Sequence, residues 1–192
     1  MHAATTYSLL PTPIGELLLV GGHGALSGIY MPPHKGGPDV GEDWVRDDDA
    51  FAQARAQLDA YFAGQLTAFD LRRSVTGTVF QQLVWQELER VPYGQTISYQ
   101  QLAERIGRPT AARAVGTAIG RNPLSIVVPC HRVVGATGML TGYAGGVDRK
   151  RALLAHEMRV AAVNASNSAD SRAPARTRAA DTSSPAGSMT SP

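Results

Sequence analysis

Hydrophobic and polar positions change period along this chain, and the changes divide it into parts. Between Tyr7 and Met31 short apolar runs alternate with turn residues. Leu17 to Val20 is apolar, Ala25 to Tyr30 reads as a further strand, and Pro11 to Gly15 is a turn cluster. Pro32 to Gly41, rich in Pro and Gly, is a loop. From Asp47 to Phe62 the period lengthens. Phe51, Ala54, Leu58, Tyr61 and Phe62 recur at helical spacing, acids stand at the start, and Gly64 ends the run. A strand is expected near Phe69 to Val75, completing a small α/β unit over residues 1–77.

Residues 78–160 read as mostly helical. Thr78 with Gln81 forms a capping box ahead of the apolar face Phe80, Leu83, Val84 and Leu88, and Pro92 and Gly94 break that helix. Ser98 with Gln101 opens a second, short helix ending at Gly107. Pro109 marks the start of a third, which stops near Gly120. Two short helices around a Gly-containing turn predict a helix-turn-helix. Asp148 is placed as the cap of a last helix running to about Arg159. Residues 161–192, mainly Ala, Ser, Thr, Asp, Arg and Pro, lack aromatics and periodicity, so a disordered tail is expected there.

Composition narrows the function. With 43% hydrophobic residues among 192, the chain can bury a core. Its one cysteine excludes an intramolecular disulfide and a multi-cysteine zinc site, and a free thiol suits a reducing cell interior. Neither a signal peptide nor a run of about 18 apolar residues is seen, so a cytoplasmic protein with no membrane partner is expected. Charge is uneven: residues 1–79 hold 5 Lys/Arg against 9 Asp/Glu, and residues 80–159 hold 10 against 5. A basic half is compatible with a polyanion partner, and equally with an ordinary solvated surface.

Two segments carry chemistry. The second helix of the helix-turn-helix is nearly bare: Ala111, Ala112, Ala114, Gly116, Ala118 and Gly120, with Arg113 its only charged side chain before Arg121. A helix reading bases in the major groove carries several long polar residues, and this one does not. It could bring its backbone close to a narrow groove and insert one cation, or simply pack tightly. The second segment, Ile126 to Val134, reads as an apolar strand ending at Pro129, with Cys130 next and His131 and Arg132 beside it. Those neighbours favour a thiolate and hence a nucleophile, where a lone cysteine is otherwise a small buried hydrophobe. Adjacent residues on an extended chain point opposite ways, so His131 needs a turn, or a water, to serve Cys130.

Pro129-Cys130-His131-Arg132-Val133 resembles the active-site signature of the O6-alkylguanine-DNA alkyltransferases. Agreement in order and spacing extends over roughly 80 positions: Pro92-Tyr93-Gly94, Ser98 to Ala103, Ala111 to Gly116, Asn122-Pro123, Gly142 to Gly146 and Leu153 to Glu157. The resemblance implies an α/β fold: a small N-terminal ribonuclease-H-like α/β domain, then a mostly helical domain with the helix-turn-helix. The implied activity is single-turnover DNA repair, in which the alkyl group of O6-alkylguanine in duplex DNA moves irreversibly to Cys130 after base flipping. O4-alkylthymine stays open as a substrate.

The roles it implies are specific. Cys130 is the nucleophile, His131 its base through a water, and Glu157 the acid orienting His131. Asn122 braces the active-site turn. Tyr99 crowds the rotating phosphate, and its hydroxyl later serves the departing base. Cys130 and Val133 meet the guanine edge by their backbone, while Tyr143, Ala144 and Gly145 form the O6 side of the pocket. Arg113 fills the space left by the flipped base, and Gln100, Arg108 and Ala112 join Tyr99 in contacting DNA. No cofactor and no metal are implied. The partner is double-stranded DNA carrying the lesion, bound by a monomer, with clustering on DNA left open.

Two residues depart from the family pattern. Ala144 stands where many relatives have Ser, and Ser125 where some have a proline that packs against bulky alkyl groups. Three other functions compete: a non-catalytic alkylguanine-binding protein of the same fold, a conventional helix-turn-helix regulator, and a cysteine hydrolase using Cys130 and His131. Relatives of the first kind replace the cysteine, which is present here.

Overall fold

The computed structural model describes residues 5–32 and 37–170. Its N-terminal part is a sheet of four strands, β1 (Thr6–Leu10), β2 (Leu17–Gly22), β3 (Ala25–Tyr30) and β4 (Val45–Arg46), in the order β3-β2-β1-β4. β1 and β2 pair antiparallel across the expected Pro11–Gly15 turn, and β2 and β3 across His23 and Gly24. Both of these residues have positive φ, as a tight hairpin turn with the native strand twist requires. β4, parallel to β1, was not foreseen; two exposed residues are too few to show a period.

A 3₁₀ turn (Asp49–Phe51) leads into α1 (Ala52–Phe62), which lays Ala54, Leu58 and Tyr61 inward, as its spacing predicts. Gly64, at φ +74°, terminates it. The strand expected over Phe69 to Val75 is not formed. Only one bridge joins Arg73 to Leu26, through Leu26 N–H to Arg72 O at 2.9 Å and Ser74 N–H to Leu26 O at 2.9 Å. The reason lies in β3, whose outer edge is shared. Farther along, Ile29 N–H donates to Pro123 O at 2.8 Å and Ser125 N–H to Ile29 O at 3.2 Å. Neither segment gains a full ladder, but together they cover the edge.

The C-terminal part contains α2 (Val79–Glu89), β5 (Ile97–Ser98), α3 (Tyr99–Arg105), α4 (Ala112–Gly120), a 3₁₀ turn (Cys130–Arg132), β6 (Val133–Val134) and α5 (Val147–Asp170). Both capping boxes are present. Thr78 and Ser98 each accept from the backbone of the Gln three residues on, whose side chain returns the bond. α3 and α4 form the helix-turn-helix around Gly107, at φ +69°. α4 begins at Ala112, not at Pro109, because Arg108 to Ala111 closes its own turn, Ala111 N–H to Arg108 O at 2.9 Å. Trp85 Nε1 donates to Ala118 O at 2.9 Å, tying α2 to α4 in the interior.

The last helix differs from expectation at both ends. It starts at Val147, so Asp148 lies in its first turn and pairs with Arg151 at 2.6 Å rather than capping it. It continues to Asp170, so residues 161–170 are helix where a disordered tail was expected. Val160 to Asp170 is Ala-rich and holds neither Gly nor Pro, and extending an existing helix needs no new nucleus. The rest of the expected tail, 171–192, lies outside the described residues.

One hydrophobic core runs through both parts. It joins Leu17, Leu19, Ile29, Met31 and Leu58 to Val84, Leu88, Leu102, Val133 and Leu153. Replacing Thr78 by Ala removes one half of a capping box on an exposed helix end. Stability should fall by about 1 kcal/mol, read as a lower urea midpoint at unchanged slope.

Candidate active site

The segment read as a strand before Cys130 is instead a tight turn. Val127 N–H donates to Ser125 O at 2.9 Å, Val128 N–H to Leu124 O at 2.8 Å and Cys130 N–H to Val128 O at 2.8 Å. Ile126 has φ +74°, a left-handed conformation that costs a β-branched residue on the order of 1–3 kcal/mol. Buried Asn122 holds this shape. Its Nδ2 donates to Val128 O at 2.8 Å and its Oδ1 accepts from Leu124 N–H at 3.0 Å. The bracing anticipated for Asn122 is thus visible as geometry. Ile126 gave no warning, since an apolar run of β-branched residues reads as a strand by every local criterion.

This turn sets Cys130 against a cavity of about 610 Å³. Of the anticipated site residues, Tyr99, Ala112, Arg113, Asn122, Cys130, Tyr143 and Ala144 line it, joined by Ser125, the position singled out for contact with bulky alkyl groups, and by Gly116 and Gly120, which had no pocket role assigned. The bare face of α4 is therefore one wall. The Tyr99 ring lies 3.6 Å from where a Cβ at Gly116 would stand. Tyr99 also receives a weak contact, Thr141 Oγ1 to its hydroxyl at 3.5 Å.

Val133 and Gly145 are not among the lining residues. Val133 is buried in a parallel pair with Ile97, its N–H donating to Cys130 O. Gly145 is buried between Met31 and Tyr143, where a Cβ would come within 2.7 Å of Met31 Sδ. Arg149 fixes that loop to the N-terminal part by donating to Ile14 O, Met31 O, Pro32 O and Gly145 O at 2.7–3.2 Å.

Arg113 and Arg108 are exposed on the helix-turn-helix, and no ion pair holds either among the described residues. Gln100 is exposed as well, but it is already engaged. It donates to Glu104 at 3.1 Å and to Pro109 O at 3.0 Å, which secures the turn between α3 and α4.

Behind the cavity lies a buried charge cluster centred on Glu157. Its Oε1 meets Tyr61 Oη at 2.9 Å, His131 Nε2 at 2.9 Å and Arg132 Nη2 at 2.8 Å. Its Oε2 accepts from Arg132 Nε at 2.8 Å and Gly94 N–H at 3.0 Å. Burial alone would raise the Glu157 carboxyl. Hydrogen bonds from His131 and Arg132, and their charges, outweigh it and hold the group far below the usual carboxylate range. Burial lowers the affinity of His131 for a proton, against the pull of Glu157, and favours a neutral ring. A neutral ring donating from Nε2 to an ionised carboxylate leaves Nδ1 with a free lone pair. Nδ1 is buried and makes no hydrogen bond. This is the arrangement of a base held in one tautomer.

The charges around Cys130 are not those expected from its neighbours in sequence. Arg132 turns away to Glu157 and to Val91 O, at 2.6 Å, so it does not serve the sulfur. Burial pushes the thiol pKa up, and Asn122, Tyr143 and the ammonium of Lys150 draw it partly back. Lys150 is itself buried, its Nζ donating to Thr141 O at 3.0 Å. The Tyr143 hydroxyl interacts with Cys130 and Ser125 yet completes a well-formed hydrogen bond with neither. Cys130 therefore rests as a thiol, and removing its proton needs a base.

Tyr61, Gly94 and Lys150 were not foreseen as site residues. Tyr61 looked like one more apolar position on a helix, and it reaches Glu157 from 96 residues away.

The cluster makes stability depend on pH with a definite sign. His131, buried neutral, weakens the fold as pH falls below its ordinary value of about 6.5, where the unfolded chain takes up the proton more readily. Glu157, held ionised, contributes fully above about 4.3 and loses that contribution on further acidification. Urea unfolding should show stability flat near neutrality and falling in two stages. Glu157→Gln should remove the more acidic stage and destabilise the protein by roughly 3–5 kcal/mol at pH 7, because Arg132 is left buried without its partner.

Comparison with known proteins agrees with this geometry. Residues 79–159 match the 6-O-methylguanine DNA methyltransferase DNA-binding domain, and residues 5–73 match the ribonuclease-like domain of the same enzymes. A methylated-DNA–protein-cysteine methyltransferase of Mycolicibacterium paratuberculosis is 51% identical over 80% of this chain and 92% of its own length. One from Methanosarcina acetivorans is 47% identical over 77% and 95%. The crystal structure of Mycobacterium tuberculosis OGT in complex with DNA superposes with a TM-score of 0.75, at 50% identity over 81% of this chain and 94% of that one. With both of its domains matched, this chain belongs to the 6-O-methylguanine DNA methyltransferase family.

Proposed function

We propose that this protein repairs alkylated DNA by moving the alkyl group of O6-alkylguanine, in one irreversible turn, onto Cys130. The observation that carries the reading is the position of that sulfur. It faces a cavity walled by the bare helix α4 and backed by His131 and Glu157. The partner is DNA, as for the M. tuberculosis protein crystallised with it. The lesion-bearing duplex is approached from the minor groove, by a monomer working in the reducing cell interior that keeps Cys130 a thiol.

The chemistry follows from the groups present. The target carbon lies inside the base stack, so the nucleotide must swing out, at a cost of a few kcal/mol. Arg113, exposed on α4 at the cavity, fills the gap, and Tyr99 crowds the phosphate that rotates. Small residues at Ala112, Gly116 and Gly120 let the backbone come close. Arg108 and Gln100 flank this surface.

Once the guanine is seated, Tyr143 and Ala144 stand on the O6 side. The Cys130 proton passes through a water to His131 Nδ1, and Glu157 stabilises the imidazolium so formed. Sulfur then attacks the alkyl carbon. The S–C bond forms as the C–O6 bond breaks, and the electron pair stays with the guanine oxygen. A proton returned by way of the Tyr99 hydroxyl leaves ordinary guanine. The thioether has no route back, so each molecule acts once.

Incubation with O6-methylguanine duplex should add the mass of one methylene to the intact protein, mapped to Cys130. Cys130→Ala should retain affinity for the lesion duplex and transfer nothing, and any residual transfer by it refutes the assignment. Arg113→Ala should slow repair in duplex on the order of tenfold or more while leaving attack on the free modified base nearly unchanged, since only the duplex reaction pays for extrusion. Equal slowing of both removes the role given to Arg113.

A further inference from the structure

The Glu157 cluster contains one donor from outside the C-terminal domain. Tyr61, on α1 of the N-terminal domain, is fully buried and places its hydroxyl 2.9 Å from Glu157 Oε1. That is the same oxygen that meets His131 Nε2 at 2.9 Å. A carboxylate oxygen has limited electron density to share, and each further donor makes it a weaker base toward the others. Tyr61 and His131 therefore draw on one acceptor atom from opposite domains. The Tyr61 ring is itself fixed, edge-on to Phe62 at 5.2 Å and to Tyr93 at 5.9 Å.

We propose that Tyr61 is a positioning residue for alkyl transfer: by donating to Glu157 Oε1 it limits how strongly that carboxylate holds a proton on His131. The inference rests on the proposed role of His131 as base. A His131 gripped too tightly by Glu157 would stay protonated and unable to take the Cys130 proton. One gripped too weakly would not accept it. Tyr61 sets the balance, and through it the N-terminal domain takes part in the acid–base step without touching substrate.

Other charged and titratable groups among the described residues face this pair, including Tyr143, which interacts electrostatically with Tyr61. Arg132 binds both carboxylate oxygens. Lys150 acts on His131 from α5 and also on Cys130. Tyr93 lies beside Glu157 and Arg132, with Arg159 acting on it. Its hydroxyl has no hydrogen-bond partner, and burial and Glu157 push it up to about 12. His156 is turned to the Tyr61 carbonyl, at 2.8 Å. Tyr93 is thus a matched control: a second phenol in the same field, with no bond to Glu157.

The test is the titration of the His131 ring by NMR in the free full-length protein, paired with the pH profile of alkyl transfer. Tyr61→Phe keeps the ring and removes the donor. It should raise the His131 midpoint by about half to one pH unit and move the acid limb of the transfer rate the same way. Tyr93→Phe should leave both where they are. 3-Fluorotyrosine placed at position 61 alone, nearly isosteric and a stronger donor, should shift both downward, and it keeps the test open should Tyr61→Phe fold poorly.

A merely structural Tyr61 would lower stability and slow transfer equally at every pH. An unshifted His131 midpoint, including a ring that stays neutral throughout in both proteins, overturns the proposal, as does an equal shift in Tyr93→Phe. The NMR reading needs no DNA, so absence of alkyl transfer in the unsubstituted protein would refute the proposed function and leave this inference separately decided.

Discussion

Glu157 is the carboxylate around which the interior is arranged. A buried negative charge is tolerable only when its lone pairs are filled, and here they are filled from three parts of the chain. Tyr61 comes from the N-terminal domain, Gly94 from the loop after α2, and His131 and Arg132 from the active-site turn. Tyr61, His131 and Arg132 are themselves buried, so losing Glu157 would leave each without this acceptor. The same bonds that hold the two domains in register therefore also hold the imidazole of His131 in one tautomer, and in the proposed mechanism stability and chemistry share one set of atoms.

The second constraint is backbone rather than charge. The free edge of β3 is covered partly by 72–74 and partly by 123–125, so the active-site turn is sewn to the sheet through Ile29. Asn122 closes the turn from inside and keeps Ile126 in a conformation it would not choose alone. A nucleophile carried on a turn so heavily bonded has little freedom to drift, which is what attack on a single carbon requires.

Cys130 is buried and held as a thiol, with Lys150, Asn122 and Tyr143 around it. This suits a residue that can react once only. A standing thiolate exposed to oxidants would be lost before meeting its substrate. A thiol activated, as proposed, only when His131 and a water are aligned is spared. Burial shields the sulfur from bulk solvent, and the cavity beside α4 is the opening onto it that the proposed reaction uses.

Much of this was legible along the chain. Capping boxes at Thr78 and Ser98, helical spacing in α1 and the glycine stops are local, and local free energies suffice to specify them. Cys130, His131, Asn122, Tyr143 and Glu157 could be named because the order of residues around them is distinctive. Distances could not be named. The left-handed Ile126, the shared edge of β3, the diversion of Arg132 from Cys130 to Glu157 and the approach of Tyr61 all depend on segments distant in sequence meeting in space. The amino-acid order alone determined which groups are available and which helices form. Only tertiary packing decided which charge faces which, because a buried ion takes whatever partner the fold brings within reach, and sequence neighbours have no privilege there.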